Sequence, residues 1–357
     1  KINGVISVPQ SKSYTHRALA VGLLSKGKST INNPLTSLDT DATIESCIAL
    51  GAEIEQTESR INIKSEGMPV APKEKIDVKN SGTTIRLMTS IAALAKEGEI
   101  VLSGDSSIRK RPISPLLESL KDLGVDCTAI NGNPPVTIKA RGIKGGITTI
   151  DGSKSSQFIS SLLIACPKAE ESTIIKTKGE IVSEPYIQAT KIVVEKFGAK
   201  IEQKNNAFHI KKTDYIPTTI NIPSDYSSIA FLLAAGAMTK GDLKIEINNE
   251  NNFPQADSEI IKIMAKMNIK TELGKNHITV KDSENILGGE FNLSKCPDLL
   301  PVVSILAMKA KTSTKITGVT HARFKETDRL SVLNEELSKA GAKISEHEDG
   351  LILNPPK

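Results

Sequence analysis

Short clusters of residues that could hold an anion recur along this chain. Each of five clusters pairs lysine or arginine with hydroxyls, amides or glycine, at residues 11–17, 80–86, 109–112, 152–157 and 325–329. Arginine and lysine pair with the oxygens of phosphates and carboxylates, while hydroxyls and amides fix the remaining oxygens. The pattern predicts one site, gathered from the whole chain, for a small and multiply charged anion.

These clusters fall at predicted helix starts, where an ordinary structural interpretation is also open. Free N–H groups and the helix dipole favour anions at such an end, but a serine there commonly caps the helix and a nearby arginine commonly lies in solvent. Ser13 and Arg17 are four residues apart and share a face. Gly82 lets a backbone approach a ligand closely, and Arg111 stands at the head of another predicted helix. Because the clusters recur at equivalent places in successive repeats, we favour binding over capping.

Composition excludes several classes of protein. The chain has 357 residues, which predicts two domains, and 46 basic against 41 acidic residues give a net charge of +5. The charges are interspersed and aromatic residues make up only 3%, so we expect no nucleic-acid partner. No apolar run approaches the roughly 20 residues that span a bilayer, so we expect no membrane partner. Four cysteines without a C-x-x-C pair favour the cytoplasm.

A repeat organises the chain. A helix followed by Gly-Ala or a close variant and then two short strands recurs with a period of about seventy residues, at 51–52, 124–125, 198–199, 267–268 and 341–342. The period is too long for a solenoid and fits a supersecondary unit within a globular fold. The third copy reads as β-α-β-α-β-β, which predicts an α/β fold. Because two pseudo-symmetric domains favour three copies each, we expect five of six units here and a C-terminal truncation. A domain closed by two units is the alternative.

Six strings, in order, give the chain a resemblance to a known family. They are Ser-Lys-Ser-x-x-x-Arg, Asn-x-Gly-Thr-x-x-Arg, Arg-Pro-Ile, Ser-Ser-Gln-Phe, Pro-Asp-Leu-Leu-Pro and Lys-Glu-Thr-Asp-Arg-Leu. The chain resembles 5-enolpyruvylshikimate-3-phosphate synthases (3-phosphoshikimate 1-carboxyvinyltransferases) from end to end. The resemblance implies two pseudo-symmetric domains of repeated β-α-β-α-β-β units, one of residues 11–224 and one of residues 1–10 with 225–357. It also implies a monomer that transfers the enolpyruvyl group of phosphoenolpyruvate to the 5-hydroxyl of shikimate 3-phosphate, without metal or cofactor.

The resemblance also implies roles for particular residues of this sequence. Those that resemble ligands of shikimate 3-phosphate are Lys12, Ser13, Arg17, Ser155, Ser156, Ser183, Tyr186, Asp298, His321 and Lys325. Those that resemble ligands of phosphoenolpyruvate are Lys12, Gly82, Arg111, Gln157 and Arg329, while Arg86 resembles a support of the Gly82 loop. Asp298 and Glu326, with Lys12 nearby, resemble the catalytic groups. Two carboxyl groups in different environments could divide the two proton transfers that the reaction needs.

Two departures and two alternatives bear on this interpretation. His321 stands where many relatives have asparagine, and the family's later Asp-His-Arg motif and lysine are absent from this chain. We therefore expect incomplete contacts to phosphoenolpyruvate and an impaired fragment. One alternative is the related transferase that acts on UDP-N-acetylglucosamine, but the loop 103–111 lacks the cysteine usual there. The other is a non-catalytic anion-binding relative, which would gain nothing from Asp298 and Glu326.

Overall fold

The structure is a computed structural model that describes residues 2–239, 241–248, 253–281 and 283–356. It is a mixed α/β protein, as the repeats predict. By its internal contacts the chain divides into two compact units. The larger unit consists of Gln10–Ile222, and the smaller unit of Lys1–Pro9 with Pro223–Lys357. Among the described residues, no helix is both long and apolar enough to cross a membrane.

The elements follow one another in short alternating stretches. Strand β1 (Gly4–Ser7) belongs to the smaller unit. The larger unit contains α1 (Lys12–Leu23), β2 (Lys26–Asn32), α2 (Leu38–Ala49), β3 (Glu53–Gln56), β4 (Arg60–Glu66), β5 (Ile76–Asp77), α3 (Gly82–Ala92), β6 (Glu99–Ser103), α4 (Ser114–Asp122), β7 (Asp126–Ile130), β8 (Asn133–Lys139), β9 (Gly146–Asp151), α5 (Ser156–Ala165), β10 (Thr173–Lys178), α6 (Glu184–Lys196), β11 (Ile201–Lys204), β12 (Ala207–Ile210) and β13 (Thr219–Asn221). The rest of the smaller unit contains α7 (Tyr226–Met238), β14 (Leu243–Glu246), α8 (Ile260–Lys266), β15 (Thr271–Leu273), β16 (His277–Val280), β17 (Glu290–Asn292), α9 (Leu300–Ala307), β18 (Thr314–Thr317), α10 (Arg329–Lys339), β19 (Lys343–His347) and β20 (Gly350–Asn354).

The described strands form five four-stranded sheets of one design. Each sheet has one parallel pair at an edge followed by two antiparallel pairs; in β9-β10-β12-β11, for example, β9 runs parallel to β10, β10 pairs antiparallel with β12, and β12 pairs antiparallel with β11. The sheets of the larger unit are β13-β2-β4-β3, β5-β6-β8-β7 and β9-β10-β12-β11, and those of the smaller unit are β1-β14-β16-β15 and β17-β18-β20-β19. A parallel pair needs a crossover connection and a hairpin only a tight turn. The sheets β5-β6-β8-β7, β9-β10-β12-β11 and β17-β18-β20-β19 follow the predicted β-α-β-α-β-β order along the chain, whereas the edge strands β1 and β13 lie far in sequence from the other strands of their sheets.

The Gly-Ala phrase marks the same backbone conformation in each copy. Gly51, Gly124, Gly198 and Gly341 follow a helix with φ of 102°, 88°, 90° and 95°, and Asn268 takes that place in the remaining copy with φ of 61°. A left-handed residue after a helix satisfies its last carbonyls and sends the chain back, and asparagine tolerates this conformation better than other side chains. The one copy without glycine therefore keeps the same turn.

The first helix of each copy in the larger unit is buried on nearly every side. These helices, α1, α3 and α5, begin after Ser11, Ser81 and Ser155. Their sequences combine leucine and isoleucine with alanine, serine and threonine, and helices that are buried all round show no polar face. Both α1 and α3 contact α5 or its neighbour α6. The three serine-led helix starts, with the residues that follow them, carry three of the four anion clusters of this unit.

Two helix starts differ from an ordinary capped start. The helix expected at residues 113–120 begins at Ser114, and Arg109 and Lys110 lie in a separate 3-10 turn before it, so these cations do not head the helix. Ser183 does precede α6, but it does not cap it, because its φ is 55° and its side chain makes no capping hydrogen bond. A serine held in the left-handed region is strained by about 1 kcal/mol or more. Such strain is more often seen at functional positions than at simple helix caps.

Candidate functional site

Arg17 is a buried cation surrounded by hydroxyl and carbonyl oxygens. Helix α1 places it 2% exposed, where its Nε donates to Thr190 Oγ1 at 2.7 Å. Its Nη1 donates to Ser13 Oγ at 2.5 Å and to Ser13 O at 2.9 Å, and its Nη2 donates to Tyr186 O at 3.1 Å and Ser160 Oγ at 3.5 Å. The predicted shared face of Ser13 and Arg17 is therefore present, and Tyr186 joins the same cluster through its backbone.

The recorded hydrogen-bond partners of this guanidinium are all neutral. Burial lowers the pKa of Arg17 from 12.5 to about 10, so the group stays charged at neutral pH although its surroundings disfavour the charge. A buried charge that its neighbours do not neutralise is costly. An anionic ligand would supply the missing negative charge at this position.

Lys12 lies one helical turn before His16 in α1. It pairs with Asp39, an acid that the sequence analysis did not predict to be part of the site. Its Nζ is 2.9 Å from Asp39 Oδ2, at the start of α2. Burial alone would raise the pKa of Asp39, but the charge and hydrogen bond of Lys12 outweigh it and lower the pKa. The pair is half exposed, so its net contribution to stability is about 1 kcal/mol or less. Its effect is to fix the position of the Lys12 ammonium.

A chain of hydroxyls runs behind this pair. His16 Nδ1 lies 2.6 Å from Thr43 Oγ1, which lies 2.6 Å from Thr84 Oγ1, which donates to Ser81 Oγ at 2.7 Å. Ser81 also hydrogen-bonds the carboxylate of Asp39. Burial, with Lys12 second, lowers the pKa of His16 to about 3, so this histidine is neutral at physiological pH. These hydrogen bonds link α1, α2 and α3.

Gly82 opens α3 against two arginines. A Cβ added at Gly82 would overlap Arg111 Nη1 and would lie 3.3 Å from Arg86 Nη1. Arg86 Nη1 donates to Gly82 O at 3.3 Å and to Gln157 Oε1 at 2.5 Å, and Gln157 Nε2 donates to Thr83 Oγ1 at 3.1 Å. The glycine therefore makes room for Arg111 to approach the helix start. Arg86 supports this turn by bonding its carbonyl, in keeping with the structural role expected for it.

The two serines before Gln157 differ in what they do. Ser155 precedes α5 and its Oγ accepts from Gln157 N at 3.2 Å, so the capping interpretation holds for this residue. Ser156 is the first helical residue and is 5% exposed. Ser11, the corresponding residue before α1, is 1% exposed, and its Oγ has no hydrogen-bond partner among the described residues. A buried hydroxyl without a partner is unusual and is one more polar group in this region that a ligand could satisfy.

Arg109 and Arg111 face different surroundings although they are two residues apart. Arg109 Nε donates to Gly104 O at 3.0 Å. It lines a cavity of about 430 Å³ together with Lys75, Lys79 and Ser103. Arg111 instead lies beside Gly82. The cluster predicted at 109–112 is therefore divided, and Arg111 is the member that approaches Gly82.

A second group of side chains lies in the smaller unit, around Arg329 at the start of α10. Its Nη1 is 2.7 Å from Asp298 Oδ1 and its Nη2 is 2.7 Å from Glu326 Oε1. Lys325 Nζ is 3.6 Å from the same oxygen of Asp298. Burial disfavours the charge of Arg329, but the two carboxylates outweigh burial and raise its pKa. One arginine thus connects the two carboxyl groups that the sequence predicts to be the acid and the base.

His321 lies in the 3-10 turn before Lys325. Its Nε2 is buried and has no hydrogen-bond partner among the residues that the structure describes. Burial, reinforced by the charge of Lys325, lowers the pKa of His321 to about 4. A neutral imidazole offers one donor and one acceptor, so it can replace the asparagine expected at this position in hydrogen bonding to a neutral or anionic ligand.

Several residues of these groups could not be found from the sequence. Thr190 and Ser160 bond Arg17 across 173 and 143 residues of chain, a separation at which periodicity says nothing. Asp39 lies in the first turn of a helix, where acids are common for dipole reasons alone. Asp257, which is 2% exposed, precedes α8 in a stretch that reads as an ordinary helix start.

Comparison with known proteins gives a consistent result. The model of the family described as EPSP synthase (3-phosphoshikimate 1-carboxyvinyltransferase) matches residues 1–357. The curated 3-phosphoshikimate 1-carboxyvinyltransferase of Nitrosopumilus maritimus is 42% identical over 355 residues, which cover 99% of this chain and 83% of that protein. The protein of the same name from Methanococcoides burtonii is 44% identical over 360 residues, with the same coverage.

Solved structures agree with the sequence comparison. A solved structure of EPSP synthase from Acinetobacter baumannii superposes with a TM-score of 0.80 at 26% sequence identity, and the match covers 99% of this chain and 82% of that one. The enolpyruvyl transferase fold that the family resemblance implies is thereby confirmed. The chain belongs to the EPSP synthase (3-phosphoshikimate 1-carboxyvinyltransferase) family.

Proposed function

We propose that this protein transfers the enolpyruvyl group of phosphoenolpyruvate to the 5-hydroxyl of shikimate 3-phosphate and releases inorganic phosphate. This places it in the shikimate pathway of aromatic amino acid biosynthesis. Family membership over the whole chain supports the reaction. The predictions that the protein is a monomer and lies in the cytoplasm stay predictions.

The observation that carries the proposal is the buried charge of Arg17. Its recorded partners are neutral oxygens. Shikimate 3-phosphate has a carboxylate and a phosphate, and either would neutralise a guanidinium held this way. Ser13 and Tyr186 accompany Arg17, and the strained Ser183 precedes the same helix as Tyr186. We assign these residues, with Ser155, Ser156, Lys325 and His321, to shikimate 3-phosphate.

We assign a second set to phosphoenolpyruvate. Arg111 approaches Gly82 closely, Gln157 is oriented by Arg86, and Lys12 is held by Asp39. Phosphoenolpyruvate carries a phosphate and a carboxylate, so cations fixed in place suit it better than mobile ones. Arg329 completes the set from the smaller unit. Cations around the phosphate would stabilise both the tetrahedral intermediate and the departing phosphate.

The carboxyl groups supply the proton transfers. In the addition step the 5-hydroxyl oxygen bonds to C2 of phosphoenolpyruvate and loses its proton, while the methylene C3 gains a proton to become a methyl group. In the elimination step the bond from C2 to the phosphate oxygen breaks and the methyl group returns a proton. Asp298 and Glu326 share Arg329 but differ in exposure, 29% against 51% for their side chains. Two carboxyl groups in unlike environments, with Lys12, can divide the proton donation and acceptance.

Calorimetric titration with two acceptor substrates tests the proposal. We expect shikimate 3-phosphate to bind and UDP-N-acetylglucosamine not to bind under the same conditions, and we expect phosphoenolpyruvate to strengthen the binding of the first. Binding of the nucleotide sugar alone would support the related transferase instead. Tight binding of shikimate 3-phosphate with no turnover in the presence of phosphoenolpyruvate would favour a non-catalytic anion-binding protein.

A further inference from the structure

A carboxyl group outside the predicted site residues is buried in the smaller unit. Asp257 lies in the 3-10 turn before α8 and is 2% exposed. Its Oδ2 is 2.5 Å from Ser227 Oγ, and its Oδ1 has no hydrogen-bond partner among the described residues. An ionised carboxylate normally gathers several donors when it is buried. With one hydrogen bond to Oδ2 and none to Oδ1, the surroundings of Asp257 stabilise an ionised carboxylate poorly. They suit the neutral acid better.

Bonds that do not depend on this charge hold Asp257 in place. Gln255 Oε1 accepts from Tyr226 N at 3.1 Å, and Gln255 Nε2 donates to Ser224 O at 2.7 Å. Gln255, two residues before Asp257, therefore hydrogen-bonds the turn before α8 to the start of α7. The position of this carboxyl group follows from the fold, so its protonation can change without releasing it.

The charged groups that face Asp257 come from three other elements. Asp225 caps α7, Asp298 lies in the turn before α9, and Lys325 lies before α10. Burial and then the charge of Asp298 raise the pKa of Asp257 to about 7, with Asp225 adding to this, while Ser227 and Lys325 oppose the shift. The neighbouring thiol of Cys296 also has a raised pKa, chiefly through burial and then through Asp257, and is neutral in this range.

Asp298 has the opposite setting. Its Oδ1 pairs with Arg329 at 2.7 Å and with Lys325 at 3.6 Å. Where two carboxyl groups repel each other, the one with the cations keeps the charge and the buried one keeps the proton. Below about pH 7 the pair therefore holds one proton and one negative charge.

We propose that Asp257 is a positioning residue for the proposed catalytic Asp298, held as the neutral acid so that the negative charge stays on Asp298, where Lys325 and Arg329 pair with it. The inference rests on the proposed function, because Asp298 is assigned its role there. Ionisation of Asp257 places a second negative charge beside Asp298. This charge draws on Lys325 and disfavours the ionised form of Asp298, so the activity falls as Asp257 loses its proton.

The pH dependence of kcat/KM for shikimate 3-phosphate tests this directly. Between pH 6 and pH 8 a group with a pKa near 7 loses about nine-tenths of its neutral form, so the wild type falls about tenfold on this account. In Asp257→Asn the amide is permanently neutral, so the ratio of variant to wild type rises about tenfold over the same range. Asp242→Asn, an exposed aspartate of the same unit, is the matched control and leaves the wild-type profile unchanged.

A second variant predicts the direction of a shift. Ser227 lowers the pKa of Asp257 through its hydrogen bond. Ser227→Ala therefore moves the decline of kcat/KM to higher pH. A ratio of Asp257→Asn to wild type that stays constant from pH 6 to pH 8 overturns the proposal, and so does a decline that moves to lower pH in Ser227→Ala.

Carboxyl carbon NMR on the wild-type protein separates this inference from the proposed function. The resonance missing in Asp257→Asn is expected to titrate near pH 7, and the Asp298 resonance is expected to shift over the same range in the wild type but not in the variant. Titration of Asp257 near pH 4 overturns the proposal whatever the activity. A lack of turnover with shikimate 3-phosphate counts against the proposed function, while the two resonances still report whether the acids share one proton.

Discussion

Replacement of Arg17 by methionine separates a binding role from a structural one. Burial lowers the pKa of Arg17 from 12.5 to about 10, and at about 1.4 kcal/mol for each pKa unit this disfavours the charged form by roughly 3 kcal/mol in the ligand-free protein. Methionine fills a similar volume without the charge. The hydrogen bonds of Arg17 are lost, at about 1 kcal/mol each, but the unfavourable free energy of the buried charge is removed as well. We therefore expect a change in the free energy of unfolding of within about 2 kcal/mol.

The binding of shikimate 3-phosphate is expected to respond far more strongly. An anion that neutralises Arg17 recovers at least the roughly 3 kcal/mol of disfavoured charge, so Arg17→Met weakens binding by more than about 100-fold. Calorimetric titration gives the dissociation constant and chemical denaturation gives the stability. Arg141→Met, an exposed arginine of the same unit, is the matched control. Loss of more than about 4 kcal/mol of stability, with affinity kept within tenfold, would refute the reasoning and make Arg17 a structural residue.

Three further variants probe the larger unit. Asp39→Asn releases the Lys12 ammonium, so kcat/KM for phosphoenolpyruvate should fall by about 10-fold or more. The free energy of unfolding should change by about 1 kcal/mol or less. A loss of stability that accounts for the whole loss of activity would show that the pair is only structural. Gly82→Ala forces Arg111 to move, but it strains no backbone, because Gly82 is helical. The KM for phosphoenolpyruvate should therefore rise, while the thermal midpoint of unfolding stays the same or rises. An unchanged KM would contradict the close approach of Arg111 to Gly82. Burial lowers the pKa of His16 to about 3, so the unfolded chain binds a proton below pH 6.5 that the folded one does not. The free energy of unfolding should therefore drop by about 2 kcal/mol between pH 6.5 and pH 4.5 through this group, a loss that His16→Gln removes and that denaturation at both pH values measures.

The repeat could be predicted from the sequence because the residues that end its helices and form its turns are set by local backbone conformation. A glycine or asparagine after a helix is forced by the left-handed turn, as at Gly198 and Asn268, and the helix and strands around it follow from short-range periodicity. The serine-led starts of the buried helices were visible for the same reason. Once the copies are aligned, the pattern of elements accounts for the three sheets whose strands are consecutive in the chain, but not for the pairing of β13 with β2 or of β1 with β14.

Contacts between copies were not readable. Arg17 meets Thr190, and Arg86 meets Gln157, across 173 and 71 residues, and these contacts depend on how buried helices of different copies pack. Whether Ser183 caps its helix depends on its φ angle, which the presence of a serine does not predict. The proton on Asp257 depends on burial and on charges from three other elements. Motifs therefore located the groups of the site, while the state of each group required the folded structure.

The formation of product is the most direct test of the central claim. Phosphorus NMR on the protein with phosphoenolpyruvate and shikimate 3-phosphate should show inorganic phosphate and a new sugar phosphate resonance appearing in equal amounts. Neither should appear without shikimate 3-phosphate, nor with UDP-N-acetylglucosamine in its place. Phosphate released without the new product, or product formed only with the nucleotide sugar, would contradict the account.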